Sequence, residues 1–481
     1  MPDPVRPTME PGGESHFEEQ SNPLHHTKKK GYRMGIVTPL KTKDKPSYPW
    51  NVEAPRFSCA PGGVYMATLA TFGAVPILHS GAGCGMFRKS GQDLAGGLNG
   101  AGPNGKIGTP CSCMVDEEHA LSGEEKLRDL VRTTAGLACG DLYTVISGCV
   151  PALVGDDAGV AAREFRGTAQ VIHVNTSGFA GNSYMGYEQY LEAVIDQLLA
   201  PQPVVRKRVN LLGIVPYQHV FWKGNLQVIK DLLGQIGVQA NMIFIENDGL
   251  EALKSIPSAE LNLVFSAWSG VSTARKLEEK FGTPHVVIPS VPVGPKDTST
   301  FLRFLARRLQ LRRTRVEKVI AAEEHRAYRF AENIADIAMM ALPHACTAIV
   351  ADTGTAIGLT RYGSNELGWL PKVVVITDDP PEEFRADIIR HLTEGLESAV
   401  KPEVHFEIDP HKIRLLLREH TLQLVLASSL EKHIATDELN AMQVSVAFPA
   451  HDRLIADRSY AGYRGGLALM EDVAYKYGGP L

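Results

Sequence analysis

Phe57-Ser-Cys59-Ala-Pro-Gly-Gly63, His79-Ser-Gly-Ala-Gly-Cys84-Gly-Met-Phe87 and Thr144-Val-Ile-Ser-Gly-Cys149-Val-Pro-Ala-Leu-Val-Gly-Asp-Asp157 set three cysteines at glycine-rich breaks between apolar segments. The apolar run 142–146 reads as a buried strand, and the residues from Val150 onward as a helix with Pro151 in its first turn. Cys149 therefore falls at a strand-to-helix junction, where exposed N–H groups and the helix dipole favour a thiolate. Around Cys59 and Cys84 the neighbours lack side chains, so backbone N–H groups are free to approach a bulky anion. An iron–sulfur cluster is such a group. Inert, buried cysteines are the plainer reading of the same spacing.

Downstream of Cys84, Gly96-Gly-Leu-Asn-Gly-Ala-Gly-Pro-Asn-Gly105 is too rich in glycine for a helix or a central strand and reads as a loop. Its Gly100-x-x-x-x-Gly105-Lys106 nearly matches a phosphate-binding loop. Ile107, however, stands where a Mg²⁺-binding Ser or Thr is required, and no clear strand precedes it. Gly81-Ala-Gly-Cys-Gly85 has glycines two and two apart rather than two and three, so it is no dinucleotide fingerprint. Cys111 and Cys113 flank Ser112 too closely for a zinc knuckle. They read as inert thiols, or as a pair that is redox-active or binds metal transiently. Cys139 belongs to an apolar helical pattern starting at Leu127 and reads as inert.

Farther out, Val209-Asn-Leu-Leu-Gly-Ile-Val215, Asn241-Met-Ile-Phe-Ile245 and Leu261-Asn-Leu-Val-Phe265 read as strands separated by helices such as 225–235 and 273–281. This alternation argues for a parallel sheet covered by helices. Pro289-Ser-Val-Pro-Val-Gly-Pro295 closes a strand ahead of a helix expected from near Thr298. A long charged helix from Thr314 to about Met340 precedes further strands at Thr347-Ala-Ile-Val350, Lys372-Val-Val-Val-Ile-Thr377, Leu422-Gln-Leu-Val-Leu426 and Val444-Ser-Val-Ala-Phe448. The expected fold is α/β, with three doubly wound, Rossmann-like parallel-sheet domains at 51–205, 206–325 and 326–481. Residues 1–50 lack apolar periodicity and read as a disordered tail or an extended arm.

A chain of 481 residues has room for about three domains. Its formal charge of −5, with no basic stripe, argues against a nucleic-acid partner. Seven irregularly spaced cysteines, no signal peptide and no 18-residue apolar run predict a cytoplasmic protein without disulfides or membrane spans.

The wording around the three cysteines, with Gly-Asp-Asp at 155–157, resembles the cluster-binding region of nitrogenase component 1 and its relatives. Phe448-Pro-Ala-His-Asp-Arg453 and Gly462-Tyr-Arg-Gly465 are similar to segments of its β-type subunit, and Pro292 to Thr298 to its Pro-x-Gly-x-x-x-Thr connection. The resemblance runs from about residue 56 to 475. It implies that Cys59, Cys84 and Cys149 are this chain's ligands to a P-type iron–sulfur cluster (8Fe–7S or related). That cluster would be shared with an α-type subunit in an α₂β₂ heterotetramer, with amides of Gly62, Gly83 and Gly85 around it. It also implies an ATP-dependent iron–sulfur reductase as electron donor, and an N-terminal arm lying on a partner. In the α-type subunit a cysteine after the strand equivalent to 261–265 holds the catalytic metallocluster. Here Ser266 stands there, a poor iron ligand, so the resemblance places that cofactor in the partner and no catalytic residue in this chain.

Three features depart from the nitrogenase β subunit. Gly178 occupies the place of a serine before Phe179, with Ser177 shifted by one. Leu121 replaces an exposed aromatic before Ser122-Gly123 on the reductase-docking surface. The glycine-rich stretch and Cys111/Cys113 are additional. These departures favour a nitrogenase-like relative of the methylthio-alkane reductase type, which cleaves C–S bonds of small thioethers for sulfur salvage. The alternatives are a dinitrogenase β subunit, a cofactor-assembly scaffold, whose β-type subunit usually lacks the full triad, and a metal-free structural paralogue.

Overall fold

Short runs that are apolar on both faces belong inside parallel sheets with helices on either side, and the chain is built from such runs. The computed structural model describes residues 52–85, 109–115, 122–165, 167–245, 249–333 and 345–478. The arm at 1–50, the glycine-rich stretch 96–105 with Lys106 and Ile107, and Leu121 lie outside these residues.

Ala60–Ala70 (α1) leads into Ala74–His79 (β1). Glu124–Leu137 (α2) precedes Leu142–Ser147 (β2), Cys149–Val154 (α3) and Ala158–Glu164 (α4). Val171–Asn175 (β3) and Ser183–Gln197 (α5) follow. Both β1 and β2 are buried at every position. They pair in parallel in the order β1-β2-β3. Against the other edge of β1, the Leu78 N–H donates to Pro110 O (2.8 Å) and the Ser112 N–H to Leu78 O (2.9 Å), so Cys111 forms a parallel bridge with Leu78. With this segment counted as a strand, the spatial order by sequence is second, first, third, fourth. The winding therefore reverses between β1 and β2, and the crevice at their carboxyl ends is a topological switch point.

The second sheet has the same order. Val205–Leu212 (β4), Trp222–Ile236 (α6), Gln239–Asn241 (β5), Gly249–Lys254 (α7), Ala259–Val264 (β6), Val271–Phe281 (α8) and His285–Val287 (β7) give β5-β4-β6-β7, all parallel. Gly294–Arg308 (α9) and Arg313–Asn333 (α10) lead to the third sheet. It comprises Cys346–Ala351 (β8), Thr353–Glu366 (α11), Leu370–Ile376 (β9), Glu382–Thr393 (α12), Glu403–Phe406 (β10), Pro410–Arg418 (α13), Leu424–Ala427 (β11) and Met442–Ser445 (β12), in the order β10-β9-β8-β11-β12. Gly462–Gly478 (α14) closes the described chain. One apolar core runs through all three sheets, with Leu78 and Ile146 from the first, Leu211 and Leu263 from the second, and Ile349 and Ile376 from the third.

Several expectations shift. The strand expected at 241–245 ends at Asn241; Met242, Ile243 and Phe244 are buried without strand pairing, and Ile245 turns away at φ 81°. The helix expected from Thr298 starts at Gly294, because Pro295 fits a first turn that has no N–H to satisfy. Gly294 itself is required there: φ is 76°, and a Cβ would lie 2.2 Å from the Tyr362 ring. Cys139 is exposed and lies past the end of α2 rather than within a helical core.

A thiol site at the first switch point

Each cysteine of the triad lies at or within a helical turn at the same end of the first sheet. Cys59 is the N-cap of α1. Cys84 lies in a 3₁₀ turn, Ala82–Gly85, just after β1. Cys149 opens α3 just after β2, with extended Gly148 as its cap. All three are half-buried and free of disulfides.

Glycines set the approach of Cys59, in a way the sequence left open. A Cβ on Gly63 would lie 2.1 Å from Ser183 O, and one on Gly186 would lie 2.1 Å from Ala60 O. The pair lets α1 and α5 touch backbone to backbone. The Ala60 N–H then donates to Gly181 O (2.9 Å) and the Ser183 N–H to Ser58 O (2.8 Å), and Cys59 bridges Asn182 in antiparallel fashion. This seats the 177–182 loop on the cysteines. The Gly178 N–H donates to Cys149 Sγ (3.1 Å), and a Cβ on Gly178 would lie 3.0 Å from Cys149 Sγ and 3.9 Å from Cys59 Sγ. The two sulfurs flank one seat.

Burial pushes the Cys59 thiol up to about 11, the Gly62 N–H pulls it back, and the neighbouring Cys149 and Cys84 thiols push it further up. Both of those sulfurs are thus in electrostatic reach of Cys59. The Gly62 amide faces the Cys59 sulfur; Gly83 is exposed, with open space where a Cβ would be. Cys84 Sγ accepts from Ser80 Oγ (2.7 Å). No three His, Cys, Asp or Glu side chains among the described residues are grouped tightly enough to hold a single metal ion.

Two polar residues that the sequence did not single out lock the site from below. Buried His79, the last residue of β1, contacts Ser112 Oγ through Nδ1 (3.1 Å) and Asp156 Oδ2 through Nε2 (3.2 Å). Asp156 also accepts from the Gly123 N–H (2.8 Å), and Asp157 caps α4 by accepting from the Gly159 N–H (2.8 Å). Gly-Asp-Asp after Cys149 is therefore structural. Gly155 ends α3 in the left-handed region at φ 83°, and the two carboxylates tie β1, the 110–114 segment, α2 and α4 together. The motif itself was the available signal.

Ser266, at the end of β6, is buried and turned inward; its Oγ accepts from the Trp268 N–H (3.3 Å) and the Ser269 N–H (3.2 Å). The adjoining cavity, lined by His219, Phe265, Thr355 and Tyr460, measures about 30 Å³. That is room for water.

Beside it lies a buried acid pair. Asp378 Oδ2 accepts from Trp268 Nε1 (2.8 Å) and the Thr353 N–H (3.0 Å), and Oδ1 contacts Thr353 Oγ1 (2.9 Å). Burial and the neighbouring Asp352 raise the Asp378 carboxyl to about 7. Its folded-state value exceeds the unfolded one, so its contribution to stability is complete in acid and is lost as pH rises through about 7. Asp378→Asn keeps all three contacts, because the amide oxygen can take both N–H donors while its NH₂ donates to Thr353 Oγ1. The variant should gain about 2–4 kcal/mol over the parent at pH 8 and nothing at pH 4 in urea unfolding. An equal difference at both pH values would refute the assignment.

The chain is thus an α/β protein of doubly wound sheets whose first switch point is lined with thiols. A family model described as nitrogenase component 1 type oxidoreductase matches residues 59–477, and the chain belongs to that family, as a β-type member. The nitrogenase molybdenum-iron protein beta chain of Methanococcus maripaludis is 23% identical over 458 residues, covering 87% of this chain and 93% of its own. The nitrogenase vanadium-iron protein beta chain of Trichormus variabilis is 24% identical over 468 residues, covering 88% and 95%. A solved structure, Nitrogenase Cp1 at pH 6.5, shares the fold with a TM-score of 0.73 at 21% identity, covering 91% of this chain and 94% of that one. Among the described residues no helix is long and apolar enough to cross a membrane.

Proposed function

We propose that this chain is the β-type subunit of a nitrogenase-like two-component reductase, in which Cys59, Cys84 and Cys149 supply one side's ligands to a P-type iron–sulfur cluster. The observation that carries this is the shared seat at Gly178, walled by two thiols and furnished with an amide aimed at sulfur. Thiolates so close repel one another, and Cys59 is already pushed up by burial and its neighbours. Metal ions bind cysteine as the thiolate, so iron bound here would deprotonate the sulfurs that hold it. Among the described residues no group of His, Cys, Asp or Glu is arranged to hold a single ion, and the triad is read as one half of a multi-iron group. Bound there, such a group stores and passes on single electrons.

The other half would come from a second chain. Leu153 (73% exposed), Val154 (39%) and Phe179 (70%) form an apolar rim beside Cys149 and Gly178. Apolar surface around a half-built polar site is what a partner subunit covers. That partner would be the α-type subunit of an α₂β₂ assembly. It would also hold the catalytic metallocluster, since Ser266, here engaged as a cap, stands where the α-type subunit has its cysteine. Electrons would arrive from an ATP-dependent iron–sulfur reductase.

For the substrate we favour reductive C–S cleavage of methylthio-alkanes. Residue 178 offers the cluster no side-chain oxygen, and a Cβ there would press on Cys149 Sγ. The second reading, dinitrogen reduction, is favoured by the names of the relatives. Iron analysis and EPR of the chain co-purified with its partner test the cluster. Reductase-driven turnover of a methylthio-alkane against N₂ tests the substrate. An iron-free complex refutes the cluster proposal, and N₂ reduction without thioether cleavage refutes the thioether proposal.

A further inference from the structure

Cys111 and Cys113 lie on the strip that extends the first sheet, and the backbone folds them toward each other. Cys113 has φ 46°, a left-handed conformation rare for a residue with a Cβ. Its N–H donates to Cys111 Sγ (3.4 Å). Intervening Ser112 points inward to His79 and Ser80, and Met114 is buried, so the strip is anchored on its inner side. The Lys126 Nζ donates to Cys113 O (3.3 Å) from α2. Cys113 is exposed and Cys111 half-buried. The strain at Cys113 is held by anchors on both sides, and it brings an accessible thiol over a sheltered one.

We propose that Cys111 and Cys113 are a reversible dithiol–disulfide site whose reaction partner is a small disulfide of the glutathione type. The Cys113 thiolate attacks one sulfur of the small disulfide, breaking its S–S bond, releasing one thiolate and leaving a mixed disulfide on Cys113. Cys111 Sγ, once deprotonated, attacks the Cys113 sulfur and expels the second small thiolate. The protein loses two protons and two electrons, and the small disulfide becomes two thiols. A bridge across one residue is strained, and strained disulfides are readily reduced again. The site therefore stays reduced in a reducing compartment and closes under oxidative load. Cys111 also contacts the Ser80 carbonyl (3.6 Å), and the Ser80 hydroxyl donates to Cys84. Closure thus acts one residue away from a thiol of the triad.

The full chain, incubated anaerobically with glutathione disulfide and mapped by trypsin digestion and mass spectrometry, should give a 107–126 peptide lighter by two hydrogens. Dithiothreitol should restore it. Cys111→Ser should instead retain glutathione on Cys113, and Cys113→Ser should leave Cys111 largely unmodified. A parent peptide that keeps glutathione, or stays fully reduced, overturns the proposal. The cluster reading is separate: if Cys111→Ser lowers the iron content of the purified complex as Cys84→Ala does, Cys111 is a metal ligand and the pair is not the site described.

Discussion

Cys84→Ala, expressed with the partner, should give a folded complex that has lost most of the iron assigned to the shared cluster. The reason lies in how little else the Cys84 side chain does. It sits in a 3₁₀ turn beyond the end of β1, half-buried, and among the described residues it accepts a hydrogen bond from the Ser80 hydroxyl. The strands beneath are held by Ile77, Leu78, Val145 and Ile146, all nearly inaccessible. Removing the sulfur should therefore leave thermal unfolding within about 1 kcal/mol of the parent, as for a surface change away from the core. Removing an outer-shell partner of a metal ligand typically weakens metal binding by about 10–100-fold, and removing the ligand itself should cost more. Ser80→Ala, which deletes only the hydrogen bond to Cys84, should fall between parent and Cys84→Ala. Gly178→Val offers a geometric counterpart, since it keeps every thiol but fills the seat between Cys59 and Cys149. Unchanged iron in both Cys84→Ala and Gly178→Val would return the triad to inert core cysteines.

Legibility followed the range of the interactions. The β2–α3 junction was readable because its signals are local: an apolar run, a glycine break and Pro151 in the first turn. The role of Gly63 was not, because its reason is Ser183, far along the chain. Strand β1 carries Pro76, which argues against a central strand. It is tolerated because β1 exposes alternate N–H groups to alternate edges. Pro76 shares the edge used by Leu78, and among the described residues the strip on that edge pairs from Leu78 onward. The second sheet's polar interior was hidden as well. Asn210, Asn241 and Asn262 read as interruptions in apolar runs, yet they hydrogen-bond to one another across adjacent strands, Asn210 Nδ2 to Asn262 Oδ1 (2.7 Å) and Asn241 Nδ2 to Asn210 Oδ1 (2.8 Å). The three cysteines could be picked out by their glycine-rich contexts, whereas their convergence depends on the Gly178 loop and on the His79–Asp156 pair.

The largest stability loss is expected at Arg56, three residues before Cys59. Its side chain is buried, and its partners come from the third sheet's loops. Nη1 donates to Glu431 Oε2 (3.3 Å) and Ser428 Oγ (3.3 Å), Nε donates to Ile408 O (3.2 Å), and Nη2 meets Glu431 Oε1. Glu431 is fully buried and also closes a capping box with Ser428. Replacing this pair by apolar groups is not costly in principle, but deleting one partner strands the other charge in the interior, at about 3–5 kcal/mol. Arg56→Met keeps the aliphatic stem and should therefore cost that much in urea unfolding. The loss should be insensitive to salt, because ions do not screen a buried pair. Arg56→Met combined with Glu431→Gln should recover most of it, since the neutral amide can still accept from Ser428. The same contact fixes where the chain enters α1, so Arg56→Met should also lower cluster occupancy, and the double variant should restore stability more fully than iron. If Arg56→Met costs less than about 1 kcal/mol, the range of exposed pairs, the buried pair is not what clamps the Cys59 segment to the third sheet.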